Sequence, residues 1–115
     1  MVIVRKGTGE RFIPPGHAKM EALKLFGPEN GSKKATIHLS TVQPGGGMED
    51  EVHETSDQVF YVLSGNIVAS SKGEQIANLQ AGDGIHIEAG EHHAFRNEGQ
   101  DPCILYILTV PPLAP

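Results

Sequence analysis

Apolar residues recur with a period near two along most of this chain, and short runs rich in glycine, proline and asparagine interrupt the pattern. A period of two sends successive side chains to opposite faces of a strand, so each segment has one face to bury. Fourteen glycines and eight prolines are spread over the 115 residues, as frequent turns require. Many short strands at even spacing predict a sandwich or a closed barrel, and the length suits one domain over residues 1–115.

Nine segments show the strand pattern: Ala18–Phe26, Lys34–Val42, Glu51–His53, Val59–Ser64, Asn66–Ser71, Glu74–Gln80, Gly84–Ile87, His93–Asn97 and Ile104–Val110. The turn signals that separate them include Pro44–Gly47, Gly65 and Gly90. Val2–Ile13 is a candidate for a further edge strand. Met20–Leu25 can also be read as a helical turn, but the segment is short for a helix.

Residues 45–65 form the first of two histidine-bearing blocks, GGGMEDEVHETSDQVFYVLSG. Glu51 and His53 are two residues apart, so on a strand their side chains face the same side. Gln58 lies an odd step further on, and a bend near Thr55–Ser56 must intervene to bring it to that side. Asp57 takes its place if the bend shifts by one residue, and the spacing to the end of the block favours Gln58.

Residues 82–97 form the second block, GDGIHIEAGEHHAFRN, which supplies His93 just after a turn signal. Glu51, His53, Gln58 and His93 together offer two imidazoles, one carboxylate and one amide oxygen. This mixed nitrogen and oxygen set suits a divalent transition metal better than calcium or magnesium. We therefore predict one such ion, with iron, manganese, nickel and zinc as the candidates.

The first block resembles the first motif of the cupin superfamily, in which a glycine is followed by His-x-His, then Glu, then Gly. Here Gly45 is followed after five residues by Glu51 and His53, then after four residues by Gln58 and after six by Gly65. The spacing matches throughout. Two ligand positions differ, because Glu51 replaces the first histidine and Gln58 replaces the glutamate. One carboxylate therefore remains in the set.

The second block resembles the second cupin motif, in which Gly, Pro-x-Gly, His and Asn follow one another at fixed spacing. Gly82, Gly90, His93 and Asn97 fall at the matching positions, and Glu88 stands where the proline is expected. The two motifs with their spacer cover about half of the chain. The resemblance implies an all-β domain with the double-stranded β-helix, or jelly-roll barrel, of that superfamily. It also implies a homodimer, in agreement with the apolar residues of Val2–Ile13 that have no obvious partner inside a barrel.

Three functional hypotheses follow, since one fold supports many chemistries. The first is a metal-dependent enzyme acting on a small, oxygen-rich organic molecule, of the dioxygenase or the isomerase and lyase type. The second is a non-catalytic module that binds a metabolite or a metal. The third is a barrel that has lost its metal.

Charge and composition limit the kinds of partner and the compartment expected for this protein. The net charge of −5 argues against nucleic acid, because phosphate binding needs a basic surface. No apolar run is long enough to span a membrane. The single cysteine, Cys103, lies in an apolar run and is expected to be buried and inert, which fits the reducing cytoplasm.

The remaining polar residues near the motifs are weaker candidates. His92 should point away from His93 on a strand, to the surface. His38 and His86 are more typical of ordinary, partly buried histidines than of ligands. His17 is expected in a loop. Arg96 is the one cation near the second motif, and it could pair with a surface carboxylate or hold an anionic substrate.

Overall fold

The computed structural model describes residues 1–30 and 33–113, and within them it is built from antiparallel strands and one short 3-10 turn, Pro28–Asn30. This confirms the expected all-β class. The strands are β1 (Glu10–Phe12), β2 (His17–Phe26), β3 (Thr36–Val52), β4 (Asp57–Ser64), β5 (Asn66–Ser71), β6 (Glu74–Gln80), β7 (Gly84–Ile87), β8 (His92–Arg96) and β9 (Cys103–Val110).

The strands form a nearly closed barrel, and the long strand β3 takes part in both of its walls. The first half of β3, from Thr36 to Val42, lies between β2 and β9, and β9 continues the wall through β4 to β7. The second half, from Gly47 to Val52, pairs with β8, which continues the other wall through β5 to β6. A strand that passes from one wall to the other is a typical way to build the corner of such a barrel.

The prediction of a turn at Pro44–Gly47 is wrong. The structure has one continuous strand there, instead of two strands joined by a reversal. Gly45 and Gly47 have φ values of 80° and 154°, which bend the strand without reversing it. A Cβ atom at Gly47 would collide with the carbonyl oxygen of Phe95, and one at Gly46 would lie 2.6 Å from the carbonyl oxygen of Lys19. The glycine run therefore allows close packing of neighbouring backbones at a corner.

Asn97 fastens this corner from the end of β8. Its buried side-chain amide donates hydrogen bonds to the carbonyls of Val42 and Asp101, at 2.9 and 2.8 Å. Its backbone amide donates to Gly46 and its carbonyl accepts from Gly45. The two walls thus meet at one side chain whose polar groups are satisfied in the interior.

The period-two pattern is confirmed by burial. Along β4 and β9, buried and more exposed residues alternate, with Gln58, Phe60 and Val62 directed inwards on β4. The core cluster lies between the two walls and consists of Met20, Val42, Met48, Phe60, Val62, Ile67, Ala69, Leu79, Ile87, Phe95, Cys103, Leu105 and Ile107.

The structure corrects part of the secondary structure that was predicted for the N-terminal region. Within Val2–Ile13 only Glu10–Phe12 pairs as a strand, with β2. Met20–Leu25 lies inside β2, so the helical alternative is wrong, because cross-strand pairing with β3 outweighs any local helical preference. Gly65 and Gly90 occupy the expected turns, with positive φ angles. Among residues 1–30 and 33–113, no helix has the length and apolarity needed to cross a membrane.

We predict that Gly65→Ala destabilises the fold much more than Gly73→Ala. Both glycines have φ near 80°, so both substitutions carry the left-handed backbone penalty of about 1–2 kcal/mol. Only at Gly65 would the new Cβ lie 2.5 Å from the carbonyl oxygen of Pro102; at Gly73 it would meet nothing within 4 Å. The clash should add roughly 2 kcal/mol to the loss at Gly65, measured by urea denaturation. Equal losses would contradict the close approach of the β4–β5 turn to β9.

Candidate functional site

The barrel contains a cavity of about 280 Å³ whose wall includes residues of β1 and of the segment leading into β2. Most of its wall is apolar and includes two aromatic rings in contact, Phe60 and Phe95, whose centroids are 4.3 Å apart. The polar residues that line the cavity are His17, His38, Ser40, Glu51, His53, Gln58 and Thr109. A concave, mostly apolar pocket with a few convergent polar groups is typical of a small-molecule site.

Three of the predicted ligand residues converge on one point. Glu51 lies near the end of β3, His53 follows that strand directly, and His93 pairs with Glu51 from β8. One possible ligand atom from each lies within 4.8 Å of the others, an arrangement that could hold a metal ion. The Oε1 atom of Glu51 is 3.2 Å from Nε2 of His53 and 3.7 Å from Nε2 of His93.

A local hydrogen bond orients the His93 ring. Its Nδ1 lies 3.1 Å from the carbonyl oxygen of Glu91, and because a carbonyl only accepts, Nδ1 carries the proton. In the neutral ring, the form that binds a metal, Nε2 then carries a lone pair, and it lies 3.7 Å from Oε1 of Glu51. This Nε2 is buried and has no hydrogen-bond partner within the described part of the chain. Two acceptors facing each other in a buried site are stabilised by a cation between them.

Gln58 lines the same cavity from β4. The bend that brings it there lies at Glu54 and Thr55, as the odd spacing required. Its Nε2 donates to Oγ1 of Thr109 at 3.0 Å, which fixes the amide orientation. The buried Oε1 is left without a hydrogen-bond partner among residues 1–30 and 33–113, so it is free to accept or to ligate.

Asp57 faces away from the cavity. One carboxylate oxygen accepts from the Ala89 amide at 2.9 Å and the other lies 3.1 Å from Nε2 of His86. The Ala89 hydrogen bond, with that to His86, lowers the pKa of Asp57. This side chain therefore ties the start of β4 to the turn before His93, and the geometry favours Gln58 over Asp57 as a fourth donor.

The charge of Glu51 is supported by its neighbours. Burial by itself raises the pKa of this carboxyl, but the imidazoles of His93, His53 and His17 outweigh burial, so the net pKa is lowered. Glu51 is therefore a carboxylate at neutral pH, the form that a cation needs.

Two histidines in the cavity wall have no place in the motifs. His17 was expected in a loop, but it is the first residue of β2 and reaches the cavity because it pairs with Met48 of β3. His38 lies on the inner face of β3. Only strand pairing brings these residues to the site, and the local sequence around His17 carries no signal for it.

The other polar candidates lie outside the cavity. His92 points outwards as expected, with Nδ1 2.7 Å from a carboxylate oxygen of Asp50. His86 is exposed beside Asp57. Arg96 is exposed and donates to the carbonyl of Gly45 at 3.4 Å, so it does not reach the cavity. Cys103 is fully buried, and burial raises the pKa of its thiol to about 11, which agrees with the expected inert thiol.

The chain belongs to the cupin family, because the family model for the cupin domain matches residues 38–110. This match spans both histidine-bearing blocks and all strands from near the start of β3 to the end of β9.

Named relatives carry different activities. The chain is 26% identical over 115 residues to a beta-D-galactosidase of Mycobacterium tuberculosis, covering 99% of this chain and 97% of that protein. It is 28% identical over 105 residues to a tetracenomycin polyketide synthase protein of Streptomyces glaucescens, covering 90% of this chain and 69% of that protein. The polyketide cyclase RemF of Streptomyces resistomycificus shares the fold, with a TM-score of 0.86 and 23% identity over 100% of this chain and 82% of that one.

We predict that Asp57→Ala lowers the urea midpoint at neutral pH and that the loss shrinks in acid. The folded-state pKa of Asp57 lies below its unfolded value of 3.8. Its stabilisation is therefore present above that pH and disappears as pH falls through the lower folded value. Glu54→Ala, at an exposed position nearby, is the control that should leave the midpoint unchanged. A loss that persists unchanged at pH 2 would contradict the proposed tie to Ala89.

Proposed function

We propose that this protein is a metal-dependent enzyme in which Glu51, His53 and His93 bind one divalent transition metal and Gln58 supplies a fourth, weaker donor. The observation that carries the proposal is the convergence of Glu51, His53 and His93, next to an apolar cavity that Glu51, His53 and Gln58 line. Nε2 of His93 and Oε1 of Gln58 are both buried without hydrogen-bond partners in the described part of the chain. Buried polar atoms are rarely left unpaired unless something absent from the protein pairs with them.

The donor set suits iron, manganese, nickel or zinc. When bound, such a metal supplies a Lewis acid for a substrate oxygen or a site for dioxygen. The single carboxylate of Glu51 leaves the loaded site with one net positive charge. That charge favours a substrate that presents a carbonyl, a hydroxyl or an enolate-like oxygen.

The side chains that line the cavity indicate the chemical character of the rest of the substrate. The wall formed by Phe60, Phe95, Met48 and other apolar side chains excludes water, which strengthens polar interactions inside the cavity. An oxygen-bearing molecule with an apolar body therefore fits better than a free sugar acid. The similarity to two polyketide-related proteins supports this choice, since their names connect the same barrel with polyketide synthesis and cyclisation.

We predict that His53→Ala and His93→Ala each lower metal affinity by more than about 100-fold, whereas Gln58→Ala costs about 10-fold. Neutral imidazoles are strong donors and an amide oxygen is weak, and even residues that only support a ligand commonly contribute 10–100-fold. Elemental analysis of protein purified without added metal, followed by titration with each of the four metals, measures the effect.

His92→Ala is the matched control, because this histidine is adjacent in sequence but faces Asp50 at the surface. Stoichiometric metal in the His53→Ala, His93→Ala double variant would overturn the proposed site. Asp57→Ala should retain the metal, and loss of metal in this variant alone would favour Asp57 as the ligand. Loaded protein is then assayed with phenolic and sugar-acid substrates, with and without oxygen; a site that binds metal but never turns over would favour the binding module.

We also propose that the protein acts as a homodimer joined through the outer face of β4 and β9. Val59, Tyr61, Leu63, Tyr106 and Val110 are exposed on this face, each at 37–44%. Tyr61 and Tyr106 are directly paired across the two strands, so their rings form one contiguous apolar surface. Contiguous exposed apolar surface on a small domain is typical of an interface.

We predict that the double variant Tyr61→Glu, Tyr106→Glu sediments as a monomer of 12.3 kDa, whereas the unmodified protein sediments at twice that mass. Buried like charges would oppose each other across such an interface. Ile76→Glu, at an exposed apolar position on β6, is the control that should leave the mass unchanged. A monomer at micromolar concentration before any substitution would rule out the dimer.

A further inference from the structure

The cavity contains a second polar pair, His38 and Ser40, which the proposed metal cluster does not use. The two residues are two apart on β3, so they share its inner face. Ser40 is fully buried, and its Oγ has no hydrogen-bond partner among residues 1–30 and 33–113. Nε2 of His38 is also buried, and it too lacks a partner in that part of the chain. Leaving a buried hydroxyl and a buried ring nitrogen unpaired costs stability, so their presence needs a reason.

This pair lies on a different part of the wall from the metal cluster. His38 pairs with Ile107 of β9, and Ile107 pairs on its other side with Phe60 of β4. His38 and Phe60 are therefore two strand spacings apart, roughly 10 Å. Phe60 in turn lies against His93, with ring centroids 6.0 Å apart. Phe60 and Ile107 thus separate the pair from the metal cluster along this row, and Gln58 and Thr109 line the next row of the wall.

The chemistry of the pair is that of a neutral hydrogen-bonding site. Burial, with the nearby Lys24 ammonium, lowers the pKa of His38, so its ring is neutral at pH 7. A neutral imidazole and a hydroxyl can each donate or accept, which matches a hydroxyl or carbonyl oxygen. The ring of Phe12 packs edge-on against His38, with centroids 5.3 Å apart, and restrains its orientation. No lysine or arginine lines the described cavity, and the nearby Lys24 ammonium is already paired with Glu29 at 3.1 Å, so the site favours a neutral oxygen over a carboxylate.

We propose that His38 and Ser40 form a recognition site for a second oxygen of the ligand, at a distance from the oxygen held by the Glu51–His53–His93 cluster. The position of the first oxygen rests on the proposed function; the second site does not depend on a metal. The ligand class is a flat, mostly apolar molecule with a hydroxyl or carbonyl at each end. The cavity of about 280 Å³ is slightly below the usual range for drug-sized ligands, which limits the body to about two rings.

The test compares 2-naphthol with naphthalene-2,6-diol, which differ only by a hydroxyl at the far end of the ring system. Their dissociation constants are measured by calorimetry on zinc-loaded protein and on metal-free protein. The diol should bind about 10-fold tighter than the naphthol, because its second hydroxyl pairs with buried groups that are otherwise unpaired. In Ser40→Ala and in His38→Phe this ratio should fall to near one. Met48→Leu, in the apolar wall, is the matched control and should change both affinities together without changing the ratio.

The outcomes separate this inference from the proposed function. A ratio near one in unmodified protein, a ratio unaffected by both substitutions, or no binding of either probe would each overturn the inference. A ratio near one in the unmodified protein would mean that the unpaired atoms of His38 and Ser40 only bind water. Failure to bind any metal would remove the proposed function, but the affinity of metal-free protein for 2-naphthol would still decide the second site, because it should fall in Ser40→Ala and in His38→Phe if the site exists and stay unchanged if it does not. Conversely, normal metal binding with a ratio near one would leave the metal site intact and remove the second site.

Thermal unfolding gives an independent readout that a purely structural role would not produce. If Ser40 serves a ligand, then Ser40→Ala removes a buried unpaired hydroxyl and should leave the melting temperature unchanged or raise it. The diol should raise the melting temperature of the unmodified protein more than that of the variant. A clear loss of stability in Ser40→Ala would show that the hydroxyl supports the fold and would overturn the inference.

Discussion

The corner of β3 at Gly45–Gly47 is the constraint on which the rest of the structure depends. A single strand carries the wall next to β9 in its first half and the wall next to β8 in its second half. Gly45 permits this corner through its φ of 80°, whereas Gly46 and Gly47 permit it because the backbones of β2 and β8, respectively, approach too closely for a side chain. Asn97 then holds the corner with three hydrogen bonds to β3, which involve the carbonyls of Val42 and Gly46 and the amide of Gly45. Without this corner, Glu51 would not stand over the cavity that the first half of β3 lines.

The polar groups of the cavity are oriented by residues that would not themselves contact a metal. The Glu91 carbonyl fixes the His93 ring, and Thr109 fixes the Gln58 amide. Asp57 holds the turn before His93 from the outer side. Supporting contacts of this kind make the donor positions a property of the rigid barrel, which is the usual basis of a preorganised site.

The sequence predicts the general fold well, because period-two burial and glycine turns are local signals. The strands from β4 to β9 lie within one or two residues of the expected segments. The turn prediction at Pro44–Gly47 fails because glycine and proline occur both where a chain reverses and where a strand bends at a corner. Only the pairing with neighbouring strands distinguishes a reversal from a corner. The site is predicted as far as the motif spacing reaches, to Glu51, His53, Gln58 and His93. His17 could not be predicted from its neighbours, because pairing with β3 alone brings it to the cavity.

In the proposed ligand site, strand β3 sets the distance between the two polar regions. Ser40 and Glu51 belong to the same covalent strand, and a bulge between Met48 and Glu51 sets Glu51 on the inner face. Inserting one residue between Ser40 and Glu51 would turn one of them out of the cavity, because side chains alternate. The spacing of the two polar regions along this strand can therefore change only in steps of two residues. Relatives that accept longer or shorter molecules should differ by paired insertions in this strand or by the size of the side chains around it.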